Sequence, residues 1–335
     1  MGTGDSAAEH LSAKNYVNAA EVLRSGLAED PHNARLLVQY AQACLGMKDY
    51  VAAEAAAQAA LATAPDNELA LRLFTLALHG QNRLLEALSI AYKVVTEHPH
   101  AYLAQYTYAS LLHESGHERE ALAVVNEALR LDPQSPDSLV LRGDIHRSLS
   151  GPAAGEADYL EALRVQPDHA VAMHNLAVSR LRWGTLAEAV RGLLAAGWLN
   201  PALEPLVRDN IGLALVRVLR TATASVVFLA VALIVVTAAH ADSLPTVIPR
   251  IAAAGLSAAL VGALVWAVRL VPRPLLLSVL RERLLLGVRM GFVALAVIFG
   301  VLTAAVGSTP LTDLTGPVLL LGVVALTVAG WLTRA

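Results

Sequence analysis

The sequence has few charged residues and almost no cysteine. Only 16% of its 335 residues are charged, against about 25% in typical globular proteins. Cys44 is the single cysteine, which excludes a disulfide framework and any multi-cysteine zinc or iron–sulfur site. The sequence also contains no G-x-S-x-G elbow, Walker loop, dinucleotide-binding fingerprint or Asp-rich metal motif. We therefore expect no enzyme activity and no cofactor.

The few charges are unevenly distributed. Residues 1–203 contain 23 Asp and Glu and 15 Lys and Arg, a net charge of −8, whereas residues 204–335 contain 5 and 10, a net charge of +5. This division predicts an acidic soluble domain followed by an apolar domain. The acidic domain has no basic stripe, which argues against a nucleic-acid partner.

The first two hundred residues contain an internal repeat. Six prolines follow one another at intervals of 34 residues: Pro31, Pro65, Pro99, Pro133, Pro167 and Pro201. A small residue precedes each proline by twelve positions: Ala19, Ala53, Ala87, Ala121, Gly155 and Ala189. Apolar residues recur at helical spacing, and turns such as Ser115-Gly116 and Trp183-Gly184 lie midway in each unit. Each unit is therefore predicted to be a helix–turn–helix.

This pattern resembles the tetratricopeptide repeat (TPR) family, best seen in REALAVVNEALRLDPQS (119–135) and AEAVRGLLAAGWLNPAL (187–203). The resemblance implies an all-α protein in which residues 1–203 form a right-handed superhelix of about six repeats, with residues 204–220 as a capping or linker helix. The segment SLSGPAAG before Glu156 predicts an irregular turn in the fifth repeat.

TPR superhelices bind protein segments in a concave groove formed mainly by the first helix of each repeat. By this resemblance, the predicted groove residues are Arg35, Gln42, Arg72, His79, Tyr106, Ser110, His113, Asp144, Arg147 and His174. The Lys/Asn pairs of a chaperone-tail carboxylate clamp are absent from the corresponding positions, so that function is not carried over. Binding on the convex side or the edges, with a solvated inner face, is the alternative.

Four long runs in the last third contain no charged residue. They are residues 221–239, 251–268, 290–307 and 317–332. At about 1.5 Å per residue such runs nearly cross a bilayer core of about 30 Å, so we expect a bundle of four transmembrane helices in residues 221–335. The runs lack ionisable residues, which argues against a self-contained transporter.

Arginines predict the orientation of these spans. Nine of ten arginines after residue 203 flank the spans on one side, and only Arg250 lies on the other. We expect both termini and the repeats in the cytoplasm, because the polar start MGTGDSAAEH is no signal peptide. The excess of Arg over Lys, 22 to 3, together with abundant Ala, fits a high-GC bacterium, so the membrane we expect is the bacterial inner membrane. The predicted membrane-interface residues are Arg217, Arg220, Arg269, Arg273, Arg281, Arg283 and Arg289.

Three local patterns leave alternatives open. Residues 272–289 are amphipathic, and either lie on the interface or extend the third span. Small residues at four-residue spacing (Ala254/Ala258, Gly255/Ala259, Ala258/Gly262 and Gly300/Ala304) either pack within the bundle or dock another membrane protein. The string His113-Glu-Ser-Gly-His117 matches a zinc-protease motif, but the repeat register puts Gly116 in a turn and separates the two histidines, so no metal site is expected.

Together these features predict a membrane-anchored scaffold whose repeats recruit a cytoplasmic protein or peptide to a membrane complex. One alternative is a non-catalytic subunit of an enzyme, transport or secretion complex that binds an integral-membrane partner through its spans. Another is a homo-oligomeric assembly or pore. Membrane lipids are expected contacts in all three cases.

Overall fold

The computed structural model describes residues 3–183, 186–309 and 312–332, with the backbone alone at 182 and 183. Within these ranges the chain forms seventeen α-helices and no β-strand, which confirms the all-α prediction. Helices α1–α12 pair into six helix–turn–helix units. Their bounds are Thr3–Ser12, Tyr16–Glu29, Ala34–Gly46, Tyr50–Thr63, Glu68–Gly80, Leu84–Glu97, Tyr102–Glu114, Glu118–Leu131, Pro136–Ser150, Glu156–Val165, Ala170–Trp183 and Leu186–Leu199.

The 34-residue period sets the helix ends. The second helix of every unit ends two residues before the repeat proline, as α4 does at Thr63 before Pro65. Asn33, Asn67 and Ser135 then cap the next helix by accepting a hydrogen bond from the backbone N–H three residues later. The proline therefore closes one unit, and the cap begins the next.

The turns inside the units share one backbone conformation. Lys14, Lys48, Asn82 and Gly116, spaced by 34 residues, all have positive φ, between 57° and 77°. The fifth unit differs because Gly151 has a φ of 95° and α10 begins only at Glu156. The irregular turn predicted there is confirmed. The turn predicted at Gly184 lies outside the described residues.

The small repeat positions lie where paired helices cross. Ala19, Ala53, Ala87 and Ala121 are fully buried. Gly155 takes this place in the fifth unit, and a methyl group there would collide with the carbonyl group of Gly143. The close crossing explains why only small residues stand at this position.

The chain divides into two compact units, Met1–Ala172 and Met173–Ala335, with the division inside α11. In the first, small hydrophobic clusters follow one another along the repeats, such as Leu37, Ala57 and Leu73 in one cluster and Val125 and Ile145 in another. This serial core is typical of solenoids, in which each repeat packs on its neighbours.

The second compact unit, Met173–Ala335, contains the remaining helices α13–α17. Their bounds are Glu204–Ala241, Val247–Leu270, Arg273–Glu282, Leu284–Val306 and Thr315–Leu332. Helix α13 links two cores. Its residues from Val207 to Leu219 pack with α12, α15 and the adjoining ends of α14 and α16, and its residues from Ala222 to Leu233 pack against α14, α16 and α17.

Helix α13 differs from the sequence prediction, in which residues 204–220 formed a helix separate from the first span. The two are one continuous 38-residue helix. It begins at Glu204, 34 residues after α11 begins at Ala170, so it starts where the first helix of a seventh repeat would start. Val207 and Ile211 cover Val190 and Leu193 of α12, as a capping helix would.

Four helices are long and apolar enough to cross a membrane: α14, α16, α17 and the segment Pro201–Ala241 that contains α13. Between α14 and α16, α15 is a separate ten-residue helix that buries Leu276 and Val279. Helix α16 extends the third span back to Leu284, which confirms the extension for the last residues of 272–289 only, whereas Arg273–Glu282 form a separate helix.

Candidate functional site

The first helices of successive repeats pack side by side, α3 on α5, α5 on α7 and α7 on α9. We call the solvent-facing side chains of α1, α3, α5, α7 and α9 the first-helix face. Arg35 and Gln42 are exposed on it, whereas Tyr106 and Ser110 are half-buried. Most of the predicted groove residues therefore reach solvent.

The basic residues of this face each have an acidic neighbour. Four pairs lie along it: Arg35 with Asp5 at 3.0 Å, Arg72 with Glu68 at 3.5 Å, His79 with Glu114 at 2.6 Å, and His113 with Glu118 at 2.6 Å. The Arg35–Asp5 and His79–Glu114 pairs are exposed, and such pairs contribute only about 0–1 kcal/mol each. The other two pairs are half-buried.

The densest polar cluster lies in the fourth and fifth repeats. Tyr159 donates a 2.7 Å hydrogen bond to Asp144 Oδ1, and Arg147 Nη2 donates to the same oxygen at 3.1 Å. Arg147 is 40% exposed, and its Nε is buried without a hydrogen-bond partner in the described part of the chain. Burial, with the charges of Asp137 and Asp144, raises the pKa of Tyr106 to about 12. The phenol is therefore held neutral beside two carboxylates.

The structure thus brings together Tyr106, Asp144 and Arg147 among the predicted residues. It adds Tyr159, and the first-helix residue Asp137 lies in the same repeat, with its carboxylate 3.0 Å from His169 Nε2. Tyr159 was missed because it belongs to a second helix, whereas the prediction took first-helix positions only. The short α10 after an irregular turn was the available signal that this repeat is special.

His174 does not fit the predicted groove. Its side chain is 7% exposed, and its Nε2 lies 3.4 Å from Asn210 Nδ2 of α13. The first turns of α13 cover this part of α11, so His174 packs inside the second unit instead of offering a contact surface.

The zinc-protease string is divided as expected. His113 lies in the last turn of α7, whereas His117 is the N-cap of α8. Within the described residues no group of three His, Cys, Asp or Glu side chains is placed to hold a metal ion.

The predicted interface arginines have different environments. Arg220, Arg269, Arg273 and Arg281 are exposed. Arg217 donates to the carbonyl of Leu181, and Arg283 forms an ion pair with Asp209 at 3.5 Å. Arg289 is instead covered by α17: it is 4% exposed, and its Nη2 donates to the carbonyl of Leu326 at 3.1 Å. Hydropathy shows that Arg289 begins a span but not that α17 covers it.

Arg250, the exception to the arginine pattern, caps a helix. Its Nε and Nη2 donate to the carbonyl oxygen of Ala304 at 2.9 and 2.8 Å, and Nη2 also donates to Ala305 at 2.6 Å. These carbonyls lie in the last turn of α16, where a cation interacts favourably with the helix dipole.

The small-residue pairs separate into two groups. Gly300 packs inside the bundle, because a methyl group there would collide with Ser257 and Leu229. Ala254, Gly255, Ala258, Ala259 and Gly262 are instead exposed along α14, and nothing lies within 4 Å of a methyl group placed at Gly255 or Gly262. We call these five residues the α14 stripe. Gly255 and Gly262 face open space, whereas Ala254 and Ala258 border a groove with α16 and Ala259 borders one with α13.

Comparison with known proteins agrees with this architecture. Two tetratricopeptide repeat family models match the chain, one over residues 10–75 and again over 78–143, the other over 140–201. No curated protein matches the chain.

Solved structures share the fold at low sequence identity. The Cut9–Hcn1 hetero-tetramer of the APC/C aligns with a TM-score of 0.57 at 13% identity, over 62% of this chain and 41% of its own. A monomeric mutant of IFIT1 aligns with a TM-score of 0.51 at 17% identity, over 59% and 49%. YrrB, described as a TPR protein with an unusual peptide-binding site, aligns with a TM-score of 0.40 at 19% identity, over 51% and 89%.

The tetratricopeptide repeats support a protein–protein interaction scaffold, and the four apolar helices suggest membrane association. The chain belongs to the tetratricopeptide repeat family.

Proposed function

We propose that the chain is a membrane-anchored adaptor that binds a protein or peptide segment on the first-helix face and recruits it to a membrane complex. The observation that carries the proposal is the continuity of α13. Its first half packs on the last repeat helix, and its second half is the central helix of the apolar bundle. A ligand bound by the repeats would thereby be retained at the membrane through the continuous chain.

The arginines support the cytoplasmic placement of the repeats. Arg217, Arg269, Arg273 and Arg283 all lie on helix segments around the core that contains α12 and α15. Asp242 and Asp313 lie in the connections at the opposite ends of the apolar helices. By the positive-inside rule the arginine-rich end is the cytoplasmic one, which is also the end that joins the repeats.

The cluster around Arg147 is the proposed anchor for the ligand. Arg and Tyr are among the side chains most enriched in dominant binding contacts. The cluster offers Arg147 and the half-buried Tyr106 beside the exposed Asp137, and the fully buried Tyr159 holds Asp144 from below. This mixture of charges suits an amphipathic segment with both acidic and basic groups better than a uniformly charged one. Contacts along the remaining face would add specificity.

Cross-linking in membranes tests this proposal. The full chain is cross-linked, solubilised mildly and purified, and its partners are identified by mass spectrometry. Arg147→Glu should lower partner recovery about tenfold or more, because charge reversal replaces a charge-assisted contact with repulsion. Arg130→Glu is the matched control, since Arg130 also pairs with an acidic residue three positions earlier, Glu127, but lies on a second helix. Equal recovery from both variants would refute binding on the first-helix face.

A second candidate, binding of an integral-membrane partner through the spans, is favoured by the α14 stripe. Small residues allow close helix approach in lipid, and the two glycines of this stripe, Gly255 and Gly262, face open space among the described residues. In the same experiment Ala258→Leu should release such a partner, whereas Ala325→Leu, at an exposed alanine of α17, should not. If Ala258→Leu removes only self-cross-links, the homo-oligomer is the better description.

A further inference from the structure

A cavity of about 850 Å³ opens between α13, α16 and α17. It lies beside the carboxyl end of α17 and the first turns of α16. Its lining residues are Arg220, Thr221, Thr223, Ala224, Arg289, Thr327, Gly330, Trp331 and Leu332. This volume is within the range of about 300–1,000 Å³ found for small-ligand sites.

The cavity contains a buried and only partly satisfied cation. Arg289 is 4% exposed, and one hydrogen bond joins its Nη2 to Leu326. Its Nε is buried with no hydrogen-bond partner among the described residues. A buried charge and a buried unpaired donor are each costly, so this guanidinium is incomplete without an anion.

A second arginine increases the demand for negative charge. Arg220 lies on the opposite wall, on α13, and is exposed. None of the described lining residues is acidic. Four acidic residues of the second compact unit are engaged elsewhere and do not neutralise the two arginines. Glu204, Asp209 and Glu282 pair with Arg208 or Arg283. Asp313 accepts a hydrogen bond from Ser308 in the connection before α17.

We propose that this cavity binds the phosphodiester headgroup of an anionic membrane lipid. Guanidinium groups bind phosphate oxygens in a bidentate manner, and two of them on facing walls match one phosphate. Trp331, 84% exposed at the cavity edge, is of the type that concentrates at the headgroup level of bilayers. This inference rests on the proposed membrane insertion. It names the class of ligand for a site to which the repeats contribute no residue.

Other polar groups of the lining do not compete for this role. Thr221, Thr223 and Thr327 each donate their hydroxyl hydrogen to a carbonyl of their own helix. The strong donors that remain in the cavity are therefore the two guanidiniums. Basic pockets between membrane helices are a known means of holding acidic headgroups.

Lipid retention by the purified full chain tests the site. The chain is reconstituted in equimolar phosphatidylglycerol and phosphatidylcholine, purified in detergent, and analysed by native mass spectrometry. Wild type should retain phosphatidylglycerol in preference. Arg220→Gln should reduce that preference about tenfold, and it is exposed enough not to disturb folding. Arg281→Gln, which removes an exposed arginine from α15, should leave the preference unchanged.

The outcomes separate the lipid site from its alternatives. Equal loss in Arg220→Gln and Arg281→Gln would overturn the site in favour of diffuse surface charge. Displacement of the lipid by inorganic phosphate as readily as by short-chain phosphatidylglycerol would overturn the lipid in favour of a soluble anion. Retention of both lipids without preference would overturn the site but leave the membrane anchor intact, whereas retention of neither would contradict the anchor itself.

Discussion

The close crossing of α9 and α10 can be tested by one methyl group. Gly155 has φ −85° and ψ −7°, a conformation open to any residue, so replacement by alanine tests space and not backbone freedom. The new methyl carbon would lie much closer to the Gly143 carbonyl oxygen than van der Waals contact allows, 2.9 Å from the carbonyl carbon and 3.1 Å from Tyr159 Cε2. Because the first obstacle is backbone, the helices must move apart.

The expected cost of Gly155→Ala follows from this geometry. Overpacking a well-packed contact costs about 1–3 kcal/mol, and each 1.4 kcal/mol changes an opening equilibrium by about tenfold. Amide hydrogen exchange of the full chain should therefore accelerate about 5- to 150-fold in α9 and α10. Separation of these helices would also disturb the Tyr159–Asp144 hydrogen bond.

The control for this experiment is Gly255→Ala on α14. It is the same chemical change in a helix, at a site with no atom within 4 Å of the new methyl group. Amide hydrogen exchange in α14 of Gly255→Ala should not increase. If exchange in α9 and α10 of Gly155→Ala stays within about twofold of wild type, the crossing is looser than described and the steric reasoning fails.

Two further predictions concern single side chains. Arg250→Gln removes three charge-assisted hydrogen bonds from the last turn of α16, and should raise amide exchange at Ala304 and Ala305 about tenfold. Arg269→Gln is the control, since Arg269 is exposed at the other end of α14, the helix that also carries Arg250. It should have no such effect, and equal amide exchange rates in both variants would contradict the capping role. Tyr106→Phe should remove one late-titrating tyrosine from the absorbance titration, since burial holds the pKa of Tyr106 at about 12 against about 10 in an unfolded chain. The fold favours the neutral phenol, so wild-type stability should fall between pH 10 and pH 12, and Tyr106→Phe should lessen that fall; an unchanged titration would refute the burial.

Much of the repeat architecture could be predicted because it is periodic. Prolines and small residues every 34 positions determine where helices end and cross, and both features are local in sequence. The left-handed turn residues Lys14, Lys48 and Asn82 share that spacing with Gly116, but lysine carries no turn signal of its own. Their conformation could be inferred only from the register.

The side-chain environments of the apolar part could not be predicted in the same way. Hydropathy finds the spans but does not tell which face of a helix meets a neighbour. The sequence therefore does not show that α17 buries Arg289, and the α14 stripe could have packed inward. His174 fits the groove by register, but α13 continues the repeat and covers it. Each difference arises from tertiary packing that a single sequence does not encode locally.

The central claim, that the chain spans a membrane with its repeats on the cytoplasmic side, is tested most directly by thiol labelling in intact cells. Burial raises the pKa of the single native thiol, Cys44, so wild type should not react with an impermeant maleimide. Ser243→Cys places an exposed thiol in the connection between α13 and α14, and Ser148→Cys places one on α9. The account predicts labelling of Ser243→Cys in intact cells and of Ser148→Cys only after the membrane is opened. Labelling of Ser148→Cys in intact cells, or recovery of both variants in a detergent-free soluble fraction, would contradict it.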